Sequence, residues 1–143
     1  FSYELFELYL PGSSWNPTNS LTVSTDYESY DGRKDYANNC AGGYYGARIG
    51  ILEKLKEMKR QASVLAIRLE TPSYWAALGV WVVRQSARKT MGNPAIIFSS
   101  KEEMLNHAKV IARDEFGFDL DYVLKQSILL TTVKEQTKLT KYL

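Results

Sequence analysis

Two glycines open the clearest candidate for anion chemistry in this 143-residue chain. Gly42 and Gly43 precede a run of helical periodicity that begins near Tyr44 and carries Arg48 about one turn inside. Unpaired N–H groups at a helix start attract anions, and glycine lets a ligand approach closely. Arg48 would add a full positive charge. A glycine turn entering a helix, with Arg48 tied to a local carboxylate such as Asp35, would leave the same pattern. A second candidate lies downstream. If Leu78 to Met91 is helical, Trp81, Arg84 and Arg88 share one face. An indole beside two guanidiniums could stack on bases and grip phosphates. The competing arrangement buries Trp81 and pairs the arginines with Glu70 or with the acidic first third. Together with Arg60 and Arg68, these arginines would form a phosphate or nucleic-acid site if they met in one cleft.

Other chemistry has less support. Asp26, Glu28, Asp31 and Asp35 could hold Mg²⁺ for phosphodiester cleavage. They crowd into one strand–loop segment, however, where a solvated face is the expected outcome. His107 is the only histidine, set amid Met104, Leu105, Ala108 and Ile111 at helical spacing, and reads as structural. Cys40 is the only cysteine. Beside a helix start its pKa could fall, but no partner base is evident. One Cys and one His do not make a zinc site by the usual ligand counts. No cofactor is implied, and no catalytic residue can be named.

The last eight residues carry a different pattern: Gln136, then Leu139, then Tyr142 and Leu143. One short helical turn would bring Leu139, Tyr142 and Leu143 to one side, with Gln136 a turn earlier and the intervening Thr and Lys residues in water. This reads as a docking peptide for a ring-shaped DNA sliding clamp, called a PIP box after the clamp PCNA. A flexible terminal segment can fold onto a partner without disturbing the domain before it. An amphipathic last turn packed on its own domain would show the same spacing.

The elements that must position these residues follow from size and pattern. At 143 residues, 45% hydrophobic and 24% charged, the chain can bury a core without disulfide or metal. No apolar run approaches the roughly 18 residues of a membrane span, and no signal peptide is visible, so no membrane association is expected. The single cysteine points to a reducing, cytoplasmic compartment. The chain opens at Phe1, inside an apolar segment, as a piece of a longer protein would. Its net charge of +2 hides an asymmetry. Residues 1–43 sum to −4, residues 44–91 to +6, and residues 92–143 to zero. A basic middle is what a phosphate-binding surface needs, although helices carry such charge for solubility too.

Strands are expected over Phe1–Leu10, Leu21–Tyr30, Ala62–Leu69 and Ala95–Phe98. Leu21, Val23, Thr25 and Tyr27 would share a face, and Ala62–Leu69 would be buried on both. Helices are expected over Tyr44–Lys59 and Leu78–Met91, the latter able to open as a strand at VWVV. Ser100 with Glu103 forms a capping box for a third helix ending at Gly117. Asp119 would cap a fourth, ending near Ser127, and a tail would follow from Ile128. The result is an α/β or α+β fold: one domain over 1–130, a small mixed sheet flanked by three to four helices, and a flexible docking tail over 131–143.

Several blocks resemble the C-terminal half of the archaeal Nre family of DNA-repair proteins. They are Cys40-Ala41-Gly42-Gly43-Tyr44-Tyr45-Gly46-Ala47-Arg48, Leu52-Glu53-Lys54-Leu55, Arg60-Gln61-Ala62-Ser63-Val64-Leu65, Arg68-Leu69-Glu70 and Gly79-Val80-Trp81-Val82-Val83-Arg84. Leu10-Pro11-Gly12-Ser13-Ser14-Trp15-Asn16-Pro17 looks like the same family. The resemblance implies an archaeal protein in the repair of DNA damage, working with PCNA; contact with DNA is expected from the basic middle. It implies no known reaction. The alternatives are a metal-dependent enzyme acting on nucleic acid, and a domain binding a nucleotide or other phosphate ligand.

Overall fold

The computed structural model describes residues 1–73 and 79–135. They divide into two compact units, Phe1–Asn93 and Pro94–Leu143. The class is α+β, with a three-stranded mixed sheet and five helices among the described residues.

In the first unit the strands are β1 (Ser2–Tyr9), β2 (Thr22–Glu28) and β3 (Ser63–Glu70), in the order β2-β1-β3. β1 runs antiparallel to β2 and parallel to β3, with Leu5 opposite Asp26 on one side and Ala66 on the other. Strand residues alternate between faces. One face therefore presents Tyr3, Leu5, Glu7 and Tyr9 with Ser24, Asp26 and Glu28 of β2 and Val64, Ala66, Arg68 and Glu70 of β3. Helix α1 (Gly42–Met58) covers this face, and Tyr3, Leu5, Ala37, Cys40, Tyr44, Ala47, Ile51 and Val83 form its core.

Helix α2 (Val80–Gly92) packs on α1 through glycines one turn apart. A Cβ on Gly46 would lie 3.1 Å from Val80 Cγ1 and 3.2 Å from the Val80 carbonyl oxygen. One on Gly50 would lie 3.0 Å from Ala87 Cβ and 3.2 Å from the Arg88 nitrogen. Only a hydrogen at these positions lets the two backbones approach this closely. The VWVV segment is thus helical from Val80 on.

The second unit holds α3 (Lys101–Phe116), α4 (Asp121–Leu124) and α5 (Ile128–Glu135). Ser100 Oγ accepts the Glu103 N–H at 3.1 Å, while Glu103 accepts from the N–H and hydroxyl of Ser99. Gly117, at φ 72°, ends α3, and the Phe118 N–H reaches back to the Ala112 carbonyl. Three expectations are corrected here. Ala95–Phe98 pairs with no strand among the described residues, and Ile96 and Ile97 are exposed. The helix after Asp119 is only four residues long. Residues 128–135, expected as the start of a tail, are helical.

Candidate functional site

The α1-facing side of the sheet carries charge where an apolar face is expected. Asp26, Glu28, Glu7 and Glu70 are all buried, and each lies beside an arginine, with Arg68 shared between Glu7 and Glu70. Glu28 takes both arms of Arg48, from Nε at 2.7 Å and from Nη2 at 2.8 Å, and the Tyr44 hydroxyl at 2.8 Å. The hydrogen bonds from Arg48 hold the Glu28 carboxyl below its usual range despite burial, and Glu28 in turn raises Arg48. Burial pushes the Tyr3 and Tyr44 phenols far above their ordinary values, and the carboxylate beside Tyr44 adds to its shift. Tyr3 donates to the Tyr44 carbonyl at 3.1 Å, which ties β1 to α1.

Asp26 accepts the Cys40 N–H at 2.7 Å and lies 3.6 Å from Arg33. Arg33, which the sequence pattern did not single out, donates to the carbonyls of Tyr27, Asp35 and Tyr36 and lies over the Tyr44 ring. It thereby fixes the loop that leads into α1. The carboxylates expected on a solvated face are thus split. Asp31 and Asp35 are exposed, whereas Asp26 and Glu28 are buried on arginine. Among the described residues no three His, Cys, Asp or Glu side chains come close enough to hold a metal ion.

At the other end of the face Glu7 accepts from Arg68 Nη1 at 2.5 Å and from the Tyr9 hydroxyl at 2.6 Å. Arg68 also lies 3.5 Å from Glu70, whose carboxylate accepts the Trp15 N–H. The second Glu7 oxygen is buried without a hydrogen bond and points at Gly43, where a Cβ would collide with it. The helix start expected to cradle an anion therefore has a carboxylate of its own chain beside it, in the orientation the helix dipole favours. Cys40 follows the opposite course from the one its helix-start position suggests. Burial pushes its thiol up to about 11.

The five arginines of the sequence reading fall into separate settings. Arg48 and Arg68 lie on the sheet face with Glu28, Glu7 and Glu70. Arg88 forms a two-armed pair with Glu53 of α1 at 2.8 and 2.6 Å. Arg84 is half-buried with its Nε unsatisfied. Trp81 is 56% exposed, so it is not core. Arg60 is exposed and lines a cleft of about 340 Å³ with Lys56, Lys59, Phe1, Leu52 and Leu55 at the end of α1. In the second unit Lys101, Lys109, Lys125 and Lys134 rim a groove of about 450 Å³ that also holds Asp121, which pairs with Lys109 at 2.8 Å. That groove escaped sequence reasoning because the charges of residues 92–143 cancel when summed. His107 is exposed and packs against the Phe98 ring. Gln136, Leu139, Tyr142 and Leu143 lie outside the described residues.

A family model described as archaeal Nre, C-terminal, matches residues 28–142. The chain is 44% identical over 90 residues to a DNA repair protein NreA of Haloferax volcanii, covering 62% of this chain and 21% of that protein. It is 40% identical over 108 residues to the NreA of Archaeoglobus fulgidus, covering 76% and 27%. It is 35% identical over 105 residues to the DNA repair protein NreB of the same organism, covering 73% and 27%. The chain thus spans about a quarter of the length of these relatives. No solved structure matches it.

Proposed function

The chain belongs to the archaeal Nre C-terminal family, and from that membership we propose that it serves DNA repair by docking on the PCNA sliding clamp and contacting nucleic acid. The observation that carries the docking is the spacing of Gln136, Leu139, Tyr142 and Leu143 within residues 136–143, in a family whose relatives are named for DNA repair. Nucleic-acid contact rests on charge. The segment 44–91 has a net charge of +6. Lys56, Lys59 and Arg60 line one cleft at the end of α1, and Trp81 offers a separate exposed ring at the start of α2. A phosphate chain laid over such cations gains affinity by releasing counterions. Asp26 and Glu28 already pair with arginines, which disfavours the metal-dependent alternative.

Calorimetry against an archaeal PCNA tests the docking. The wild-type chain is expected to bind in the micromolar range, about −8 kcal/mol. Tyr142→Ala with Leu143→Ala is expected to weaken it at least about a hundredfold, because these two side chains carry most of the apolar area. Equal binding by both proteins would refute the reading.

A further inference from the structure

The sheet is open on the β3 side. β3 is an edge strand in the order β2-β1-β3. The Ala62 and Glu70 carbonyls accept from Ser2 and Leu10 of the β1 side. Backbone polar groups alternate along a strand, so even-numbered residues of β3 turn inward. Ser63, Leu65, Ile67 and Leu69 then turn their N–H and C=O groups outward, and none of these has a partner among the described residues.

This edge lacks the guards that exposed edges usually carry. From Ser63 to Leu69 there is no proline and no lysine, and the one charge, Arg68, is held over the sheet face by Glu7 and Glu70. Alongside runs an apolar cleft of about 330 Å³, walled by Ala47 and Ile51 of α1 and by Val83, Ala87 and Met91 of α2. Residues from both faces of β3 line it, Val64 and Ala66 from one and Leu65 and Ile67 from the other. A cleft lined by both faces of one strand lies at the strand's edge, where a neighbouring strand would run.

We infer that the β3 edge is a strand acceptor, filled by an extended aliphatic segment of the Nre polypeptide from the region of the relatives that this chain does not match. The incoming backbone pairs with Ser63, Leu65, Ile67 and Leu69. Its alternate side chains enter the cleft beneath α2, where the lining selects aliphatic residues over charged ones. The same polypeptide is the favoured source because about three quarters of the relatives' length lies outside the match. A segment supplied within one chain also acts at high effective concentration. This inference stands on the sheet edge and on family length, not on clamp docking or DNA contact, so either can fail without the other.

Hydrogen–deuterium exchange tests it on unmodified protein. In the 143-residue chain alone the outward amides of Leu65, Ile67 and Leu69 are expected to exchange at least about tenfold faster than the inward amides of Val64, Ala66 and Arg68. In a full-length Nre polypeptide carrying this chain the outward amides should become as slow as their neighbours. Unchanged fast exchange in the long polypeptide would overturn the inference. A photo-crosslinking amino acid at position 63 of the long polypeptide then identifies the occupant. An intrachain link to the unmatched region is expected, whereas a link between two copies would overturn the assignment.

Discussion

Glu28→Gln is the sharpest probe of the charged sheet face, since it removes one charge and almost no volume. Glu28 accepts three hydrogen bonds, two from Arg48 and one from Tyr44. A glutamine amide keeps one acceptor and turns an NH₂ group toward donors. Breaking a buried pair costs about 3–5 kcal/mol. The Arg48 side chain keeps 32% of its exposure, so water compensates in part and about 2–3 kcal/mol is expected. For a chain of this size that is a fall in melting temperature of about 6–15 °C. The pH dependence supplies a second check. The folded protein holds the Glu28 carboxyl below its ordinary value, about 4.3 in an unfolded chain. Its contribution is therefore complete above that pH and is lost as pH falls through the lowered value. The substituted amide does not titrate, so the gap between wild type and variant should be widest at pH 7 and should narrow in acid. Urea denaturation followed by circular dichroism at pH 7 and pH 3 measures both quantities. A gap under about 0.5 kcal/mol at pH 7, or one equally large at pH 3, would refute the argument.

Gly43→Ala drives a methyl group into the Glu7 carboxylate, which Arg68 and Tyr9 hold in place; a loss of about 1–3 kcal/mol is expected, and an unchanged urea midpoint would contradict it. Cys40, its thiol pushed up to about 11, should resist iodoacetamide at pH 8 at least about a hundredfold better in the folded than in the unfolded chain. Because the fold favours the neutral thiol, that share of stability is whole below about pH 8.5 and drains away as pH rises through about 11. Lys59→Ala with Arg60→Ala should weaken binding to single-stranded DNA in fluorescence anisotropy and flatten its salt dependence by roughly one unit per phosphate contact removed; an unaltered salt slope would move the contact elsewhere, with the lysine groove of the second unit next to be tested.

Regular elements were legible where one signal dominated. The apolar period placed α1 within two residues, and Ser100, Glu103 and Gly117 marked both ends of α3. Ala95–Phe98 has the composition of a strand but no neighbour to pair with among the described residues, and pairing is not written in local sequence. β2 was read from the Val23, Thr25, Tyr27 face, although its other face, with Asp26 and Glu28, is the more buried. The missing information was the position of Arg33 and Arg48, which arrive from a loop and a helix to neutralise those carboxylates. Likewise Gly42 and Gly43 announced a close approach but not what would approach. A ligand and the chain's own Glu7 ask the same thing of the backbone, and only the fold distinguishes them.

The glycine contacts between α1 and α2 bear on how this protein can change over time. Gly46 and Gly50 are empty spaces shaped by Val80 and Ala87 of the other helix. A methyl group on either glycine also meets backbone of the other helix, the Val80 carbonyl at Gly46 and the Arg88 nitrogen at Gly50, so a smaller side chain opposite does not make the room and the two helices must part. A larger residue at either glycine should therefore cost stability whichever side chain stands opposite. Gly46 lies within Cys40–Arg48, so part of what that stretch specifies is a distance between two helices and not a chemical group.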